Sequence, residues 1–118
     1  MNWIALTSLD QLDTLVERSF QKPVLIFKHS TRCSISSAAL DRLERRWQKE
    51  NTESLDAYFL DLIQFREISS EVANRFSVFH QSPQAILIFQ GKVLYEESHF
   101  SIDLGEIANR VQSLSIQK

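Results

Sequence analysis

Apolar positions along this chain alternate between two spacings, short continuous runs and stripes that recur every three or four residues. Trp3 to Leu6 reads as a short first strand. Ser8-Leu9-Asp10-Gln11 has the form of a capping box, and Leu9, Leu12, Leu15 and Val16 then share one helical face. Pro23 closes the connection, and Val24 to Phe27 is an unbroken apolar run of strand length, the pattern of a strand buried on both faces. Beyond His29-Ser30-Thr31-Arg32-Cys33, apolar residues return at Ala39, Leu40, Leu43 and Trp47, which predicts a helix of about four turns. Ala57 to Ile63 reads as a further strand with Asp56 and Asp61 near its ends. Ile68, Val72, Ala73 and Phe76 form a third helical stripe. Ala85 to Phe89 is again a buried-type strand, Gln90-Gly91-Lys92 a tight turn, and Val93 to Tyr95 the returning arm of a hairpin. Leu104, Ile107, Ala108, Val111 and Leu114 make a last helix, although Gly105 costs it roughly 1 kcal/mol relative to Ala.

The order is therefore β-α-β-α-β-α-β-β-α, an α/β chain whose central mixed sheet carries helices on both faces. With 118 residues and no linker, repeat or low-complexity stretch, residues 1–118 are expected to form one domain. Charge narrows the function. The net charge is −2, and the densest basic cluster, Arg42 to Arg46, contains Glu44 and sits near Asp41 and Glu50, so it reads as a solvated helix face. Capture of a nucleic-acid backbone needs clustered Lys and Arg, and none is expected here. No apolar run approaches the roughly 20 residues that span a bilayer, and Met1-Asn2-Trp3-Ile4 lacks the basic flank of a signal peptide. The expectation is a cytoplasmic protein without a membrane partner. A single cysteine excludes an internal disulfide framework and suits a reducing compartment. His29, His80 and His99 are too scattered to build a metal site with it.

That cysteine is the candidate for chemistry. Cys33 follows a buried strand and opens a helix, where unpaired backbone N–H groups and the helix dipole favour a thiolate over a thiol. Arg32 and Lys28 add positive charge nearby, and Ser36, one turn on, has a hydroxyl able to donate to the sulfur. A lone cysteine is more often a small core hydrophobe. Here Ser30, Thr31, Arg32, Ser34 and Ser36 surround it, which suits an exposed turn better. His29 lies four residues before Cys33 and reads more readily as a solvated strand end than as a group acting on the sulfur. His80 and His99 receive no role. The second element is Ser82-Pro83, directly before the strand Ala85 to Phe89; its peptide bond is either cis or an ordinary trans bond at a strand start.

Two stretches resemble known motifs. Lys28-His29-Ser30-Thr31-Arg32-Cys33-Ser34-Ile35-Ser36 is similar to the active-site turn of the thioredoxin superfamily in its monothiol C-x-x-S form. Ser82-Pro83 through Gly91-Lys92 resembles that superfamily's cis-proline segment and hairpin. More narrowly, the run from Phe27 to Ser36 resembles the YtxJ family of bacillithiol-system redox-active proteins, related to the bacilliredoxins. The resemblance covers nearly the whole chain and implies a thioredoxin-like fold. It also implies Cys33 as nucleophile, Ser36 in the place of a resolving cysteine, and Pro83 beside the substrate groove. Three departures stand out. Ser34 replaces a proline common after the cysteine, Arg32 stands where dithiol thioredoxins carry Trp, and Phe27 stands where they carry a buried acid.

The mechanism implied is monothiol transfer. Cys33 attacks a mixed disulfide between a client protein and a low-molecular-weight thiol, keeps the small thiol, and is freed by a second small thiol. No tightly bound cofactor is called for; the small thiol is a co-substrate, bacillithiol by the resemblance, and S-thiolated client proteins are the partners. Thr31, Arg32, Ser82 and Pro83 are the candidate substrate-binding residues. The competing reading is a non-catalytic module of the same fold that holds an extended peptide in the Pro83 groove.

Overall fold

The computed structural model describes residues 3–47 and 55–116; Glu50 of the basic-helix reading lies outside them. The elements run β1 (Ile4–Ala5), α1 (Leu9–Arg18), β2 (Val24–His29), α2 (Ser34–Trp47), β3 (Asp56–Asp61), α3 (Arg66–Phe76), β4 (Gln84–Phe89), β5 (Lys92–Ser98), a 3-10 turn (His99–Ser101) and α4 (Leu104–Ile116). The strands form one mixed sheet in the order β1-β3-β2-β4-β5. β1, β3 and β2 run parallel, while β4 is antiparallel to β2 and β5 to β4. This is the α/β, thioredoxin-like arrangement expected from the element order.

Period-2 alternation assigns the two faces. Leu25 and Phe27 of β2 join Ala57, Ala85 and Leu87 in a core under Ala39 and Leu43 of α2 and Leu104, Ile107 and Val111 of α4. Val24 and Ile26 point the other way, joining Tyr58, Leu60, Ile86 and Ile88 beneath Leu12 and Leu15 of α1 and Ile68, Val72 and Phe76 of α3. β2 thus has helices over both faces, which explains its unbroken apolar run.

Several boundaries differ from expectation, each for a hydrogen-bonding reason. β1 is only two residues long. β2 continues past Phe27 through Lys28 and His29, because Lys28 pairs with both Leu60 and Gln84 and His29 with Asp61. β3 ends at Asp61 rather than Ile63: the Asp61 Oδ1 accepts from the amides of Ile63 and Gln64 and turns the chain. The hairpin turn places Gln90 and Gly91 at φ 54° and 74°, both in the left-handed region that a two-residue β-turn requires. Its amides are held from α1: Gln90 N donates to Ser19 O at 2.7 Å, and Gly91 N donates to Ser19 Oγ at 3.0 Å.

Candidate functional site

The register gathers several chain segments at one end of the sheet. His29 closes β2 beside Asp61, the last residue of parallel β3, and Lys28 pairs with Gln84, the first residue of antiparallel β4. The turn Ser30–Cys33, the first turn of α2, the Leu62–Phe65 connection and Ser82–Pro83 therefore all lie at that end.

Cys33 N donates to Ser30 O at 3.2 Å, and Cys33 O accepts from Ser37 N at 3.1 Å. The first bond tightens the turn and the second starts the helix, so Cys33 occupies the position where a side chain faces the unpaired amides of the first turn. The cysteine is free and half-buried, and its sulfur makes no hydrogen bond with the described residues. Thr31, Arg32 and Ser34 around it are exposed.

Ser36 is placed differently from its expected role. It is fully buried, and its Oγ accepts from Ser30 N at 3.0 Å and lies 2.7 Å from His29 Nδ1. The hydroxyl is thus committed to the turn and to the imidazole rather than to the sulfur. His29 is not a solvated strand end. It is 5% exposed, with its ring 6.1 Å from Phe27 and 5.3 Å from Phe59. Burial lowers its pKa, against the raising effects of nearby Asp61 and a backbone hydrogen bond at Ser36, so the imidazole is neutral at neutral pH. His29 is the site residue that sequence reasoning passed over. Its signal was parity: it follows Phe27 by two and shares the face on which α2 packs.

Lys28 also departs from expectation. Parity sends it to the opposite face, where it is fully buried, and its Nζ donates to Ser69 O at 3.0 Å and lies 3.3 Å from His80 Nδ1. It adds no charge on the face where Cys33 opens α2. Burial lowers its pKa from 10.5 to about 8. His80, to which no role was assigned, is its neighbour and also stands 3.3 Å from Ser69 Oγ.

Across the end of the sheet, the Ser82–Pro83 peptide bond is cis, and Pro83 is buried. Pro83 O accepts from His99 N at 3.0 Å, fixing the segment to the turn after β5. Ser82 is different: its Oγ is buried without a partner, and its backbone has no hydrogen bond to another described residue. Buried polar groups are ordinarily paired, so Ser82 presents unsatisfied groups beside the cysteine end of the sheet.

A thioredoxin-type sheet carrying one cysteine directly before α2 defines a thioredoxin-fold protein. The comparisons narrow this further. Residues 4–107 match the family model of the monothiol bacilliredoxin BrxC, and the chain belongs to that family. It is also 30% identical to a thioredoxin-fold protein assigned as an oxidoreductase, with 91% of each chain covered and a TM-score of 0.76. Its fold is shared with the thioredoxin of Trypanosoma brucei brucei, at 14% identity, a TM-score of 0.73, and 99% of this chain and 93% of that one covered. Malassezia sympodialis thioredoxin is similar at 15% identity and a TM-score of 0.72, with 95% and 90% covered.

Proposed function

We propose that this protein is a monothiol thiol-disulfide transferase that removes a low-molecular-weight thiol, bacillithiol, from mixed disulfides on client proteins. The observation that carries the reading is the sole cysteine, half-buried at the first turn of α2, at the same end of the sheet as the unpartnered Ser82. The Cys33 thiolate attacks the small-thiol sulfur of the mixed disulfide. A bond forms between the Cys33 sulfur and the small thiol, the client–small-thiol bond breaks, and the client leaves as a thiolate that takes a proton from water. A second small-thiol thiolate then attacks the adduct, giving the symmetrical small disulfide and restoring the Cys33 thiolate. Ser36 has no thiol with which to resolve the adduct, so the second step is external.

Membership of the monothiol bacilliredoxin family supports bacillithiol as the small thiol. A protein client is supported by three exposed apolar side chains at this end of the sheet: Phe79 at 89%, Phe100 at 71% and Ile35 at 40% exposure. Phe100 belongs to the turn that Pro83 O holds, and the Arg42 guanidinium lies 5.9 Å from its ring centroid. Ser82 supplies polar groups for a main chain lying in the Pro83 groove, and exposed Thr31 and Arg32 border the sulfur. One cysteine suits work in the reducing cytoplasm. The test offers a client carrying a bacillithiol mixed disulfide and follows its release. Wild type frees the client and gains the mass of the small thiol, while Cys33→Ser does neither. Client binding without any transfer would replace this reading with that of a non-catalytic peptide-binding module.

A further inference from the structure

Beside the Cys33 end of the sheet, on the face covered by α3, lies an open pocket of about 350 Å³ lined by Leu62, Arg66, Ser69, Ser70 and His80. No carboxylate is among its described lining residues. Arg66, the first residue of α3, is exposed and makes no ion pair with the described residues. Behind the pocket wall is the fully buried Lys28, whose contacts are the neutral Ser69 carbonyl and His80 Nδ1. A buried ammonium is ordinarily paired with an anion. This one has none among the described residues.

The contacts also set the orientation of His80. Lys28 Nζ is donor-only, and the Ser69 hydroxyl lies at the same distance from the same imidazole nitrogen. The donor-only ammonium needs an acceptor at Nδ1, which puts the ring proton on Nε2 and leaves His80 an N–H to offer the pocket. The donors left to the pocket are the Arg66 fork, the His80 N–H and the Ser70 hydroxyl. Leu62 connects this pocket to the cysteine turn, since its amide donates to His29 O at 3.1 Å, one residue before Ser30 holds the Cys33 amide.

We propose that this pocket receives a carboxylate of the small thiol exchanged at Cys33, with Arg66 and His80 as direct ligands and Lys28 as the residue that positions and polarises His80. The proposal rests on the transferase reading above for its occupant, but not for the existence of the site. A planar guanidinium at the rim matches a carboxylate in fork geometry.

Two measurements test it separately. Succinate and inorganic phosphate are titrated against the isotope-labelled Cys33→Ser protein while the His80 ring resonances are followed. Succinate is expected to move them saturably, and Arg66→Ala or Lys28→Met to weaken that response at least fivefold. Phosphate binding more tightly than succinate, or no response to either, overturns the carboxylate assignment. The rate of mixed-disulfide formation at Cys33 is then measured by mass with glutathione disulfide, which bears carboxylates, and with cystamine, which bears none. Arg66→Ala is expected to slow the first reaction about tenfold and leave the second within twofold. Equal slowing of both overturns recognition of the carboxylate. If succinate moves His80 but Cys33 reacts with neither disulfide, the transferase reading falls and the thiol is lost as the occupant, while the carboxylate site stands.

Discussion

Ser36 satisfies two groups at once, the half-buried Ser30 amide and the buried His29 imidazole. Removing its hydroxyl leaves both unpaired, and a buried group without a partner costs about 1–3 kcal/mol. Ser36→Ala is therefore expected to lower the unfolding free energy by that amount, read as a lower urea midpoint with an unchanged m-value. An m-value change would point instead to an altered denatured state. Ser36→Cys is a test of chemistry: a thiol at position 36 attacks the adduct on Cys33 from within, so the small-thiol adduct should decay faster than in wild type. An adduct of equal lifetime would mean that position 36 does not face the exchanging sulfur. Of this neighbourhood, Cys33 and the proline turn were legible because strand, turn and helix follow one another in the sequence. Lys28 and His29 were misplaced because the apolar run stops at Phe27 while the strand does not. Polar residues that finish a buried strand carry no hydropathy signal, and only their parity tells which face each one takes.

At the scale of elements, the longest apolar runs and stripes were legible as strands and helices because each buries a whole face. Their ends were less so, since hydrogen bonds set them: the Asp61 carboxylate ends β3, and the Ile4–Ala5 strand survives only where it pairs with Tyr58 and Phe59. Ser19 shows how one small residue joins distant elements. It is fully buried at the end of α1, donates its hydroxyl to Val16 O at 2.5 Å, and accepts from Gly91 N in the hairpin turn. Ser19→Ala strands the Gly91 amide and is expected to cost about 1–2 kcal/mol. Amide exchange should quicken at Gly91 while the β2 ladder stays protected. Loss of protection throughout the sheet would show that the contact governs global rather than local stability.

For the whole molecule, the buried titratable groups shape stability against pH. Lys28 has its pKa lowered by burial to about 8 from 10.5, so between those values the unfolded chain holds a proton that the folded one has released. Stability therefore rises with pH above about 8. The rise reverses near pH 10, because burial raises the pKa values of Tyr58 and Tyr95 and the unfolded chain loses those protons first. On the acid side, burial lowers the pKa values of His29 and His80 below 6.5, so stability falls as the unfolded chain takes up protons there first. Urea midpoints across this range should show the acid fall, the rise above about pH 8 and its reversal near pH 10. Lys28→Met should abolish the alkaline rise and be at least as stable below pH 8, since an apolar isostere of a buried charge is often neutral or stabilising. An alkaline rise that persists in Lys28→Met would assign it to another group.

The central claim is that Cys33 accepts a small thiol from a protein mixed disulfide and cannot release it alone. It is tested most directly by intact-mass measurement during a single turnover with a bacillithiol-modified client and no free thiol present. The account predicts that the client loses the bacillithiol mass while this protein gains it in equal amount, that the adduct persists until free thiol is added, and that Cys33→Ser abolishes both changes. A client that keeps its modification, or one released without any mass appearing on Cys33, would contradict it.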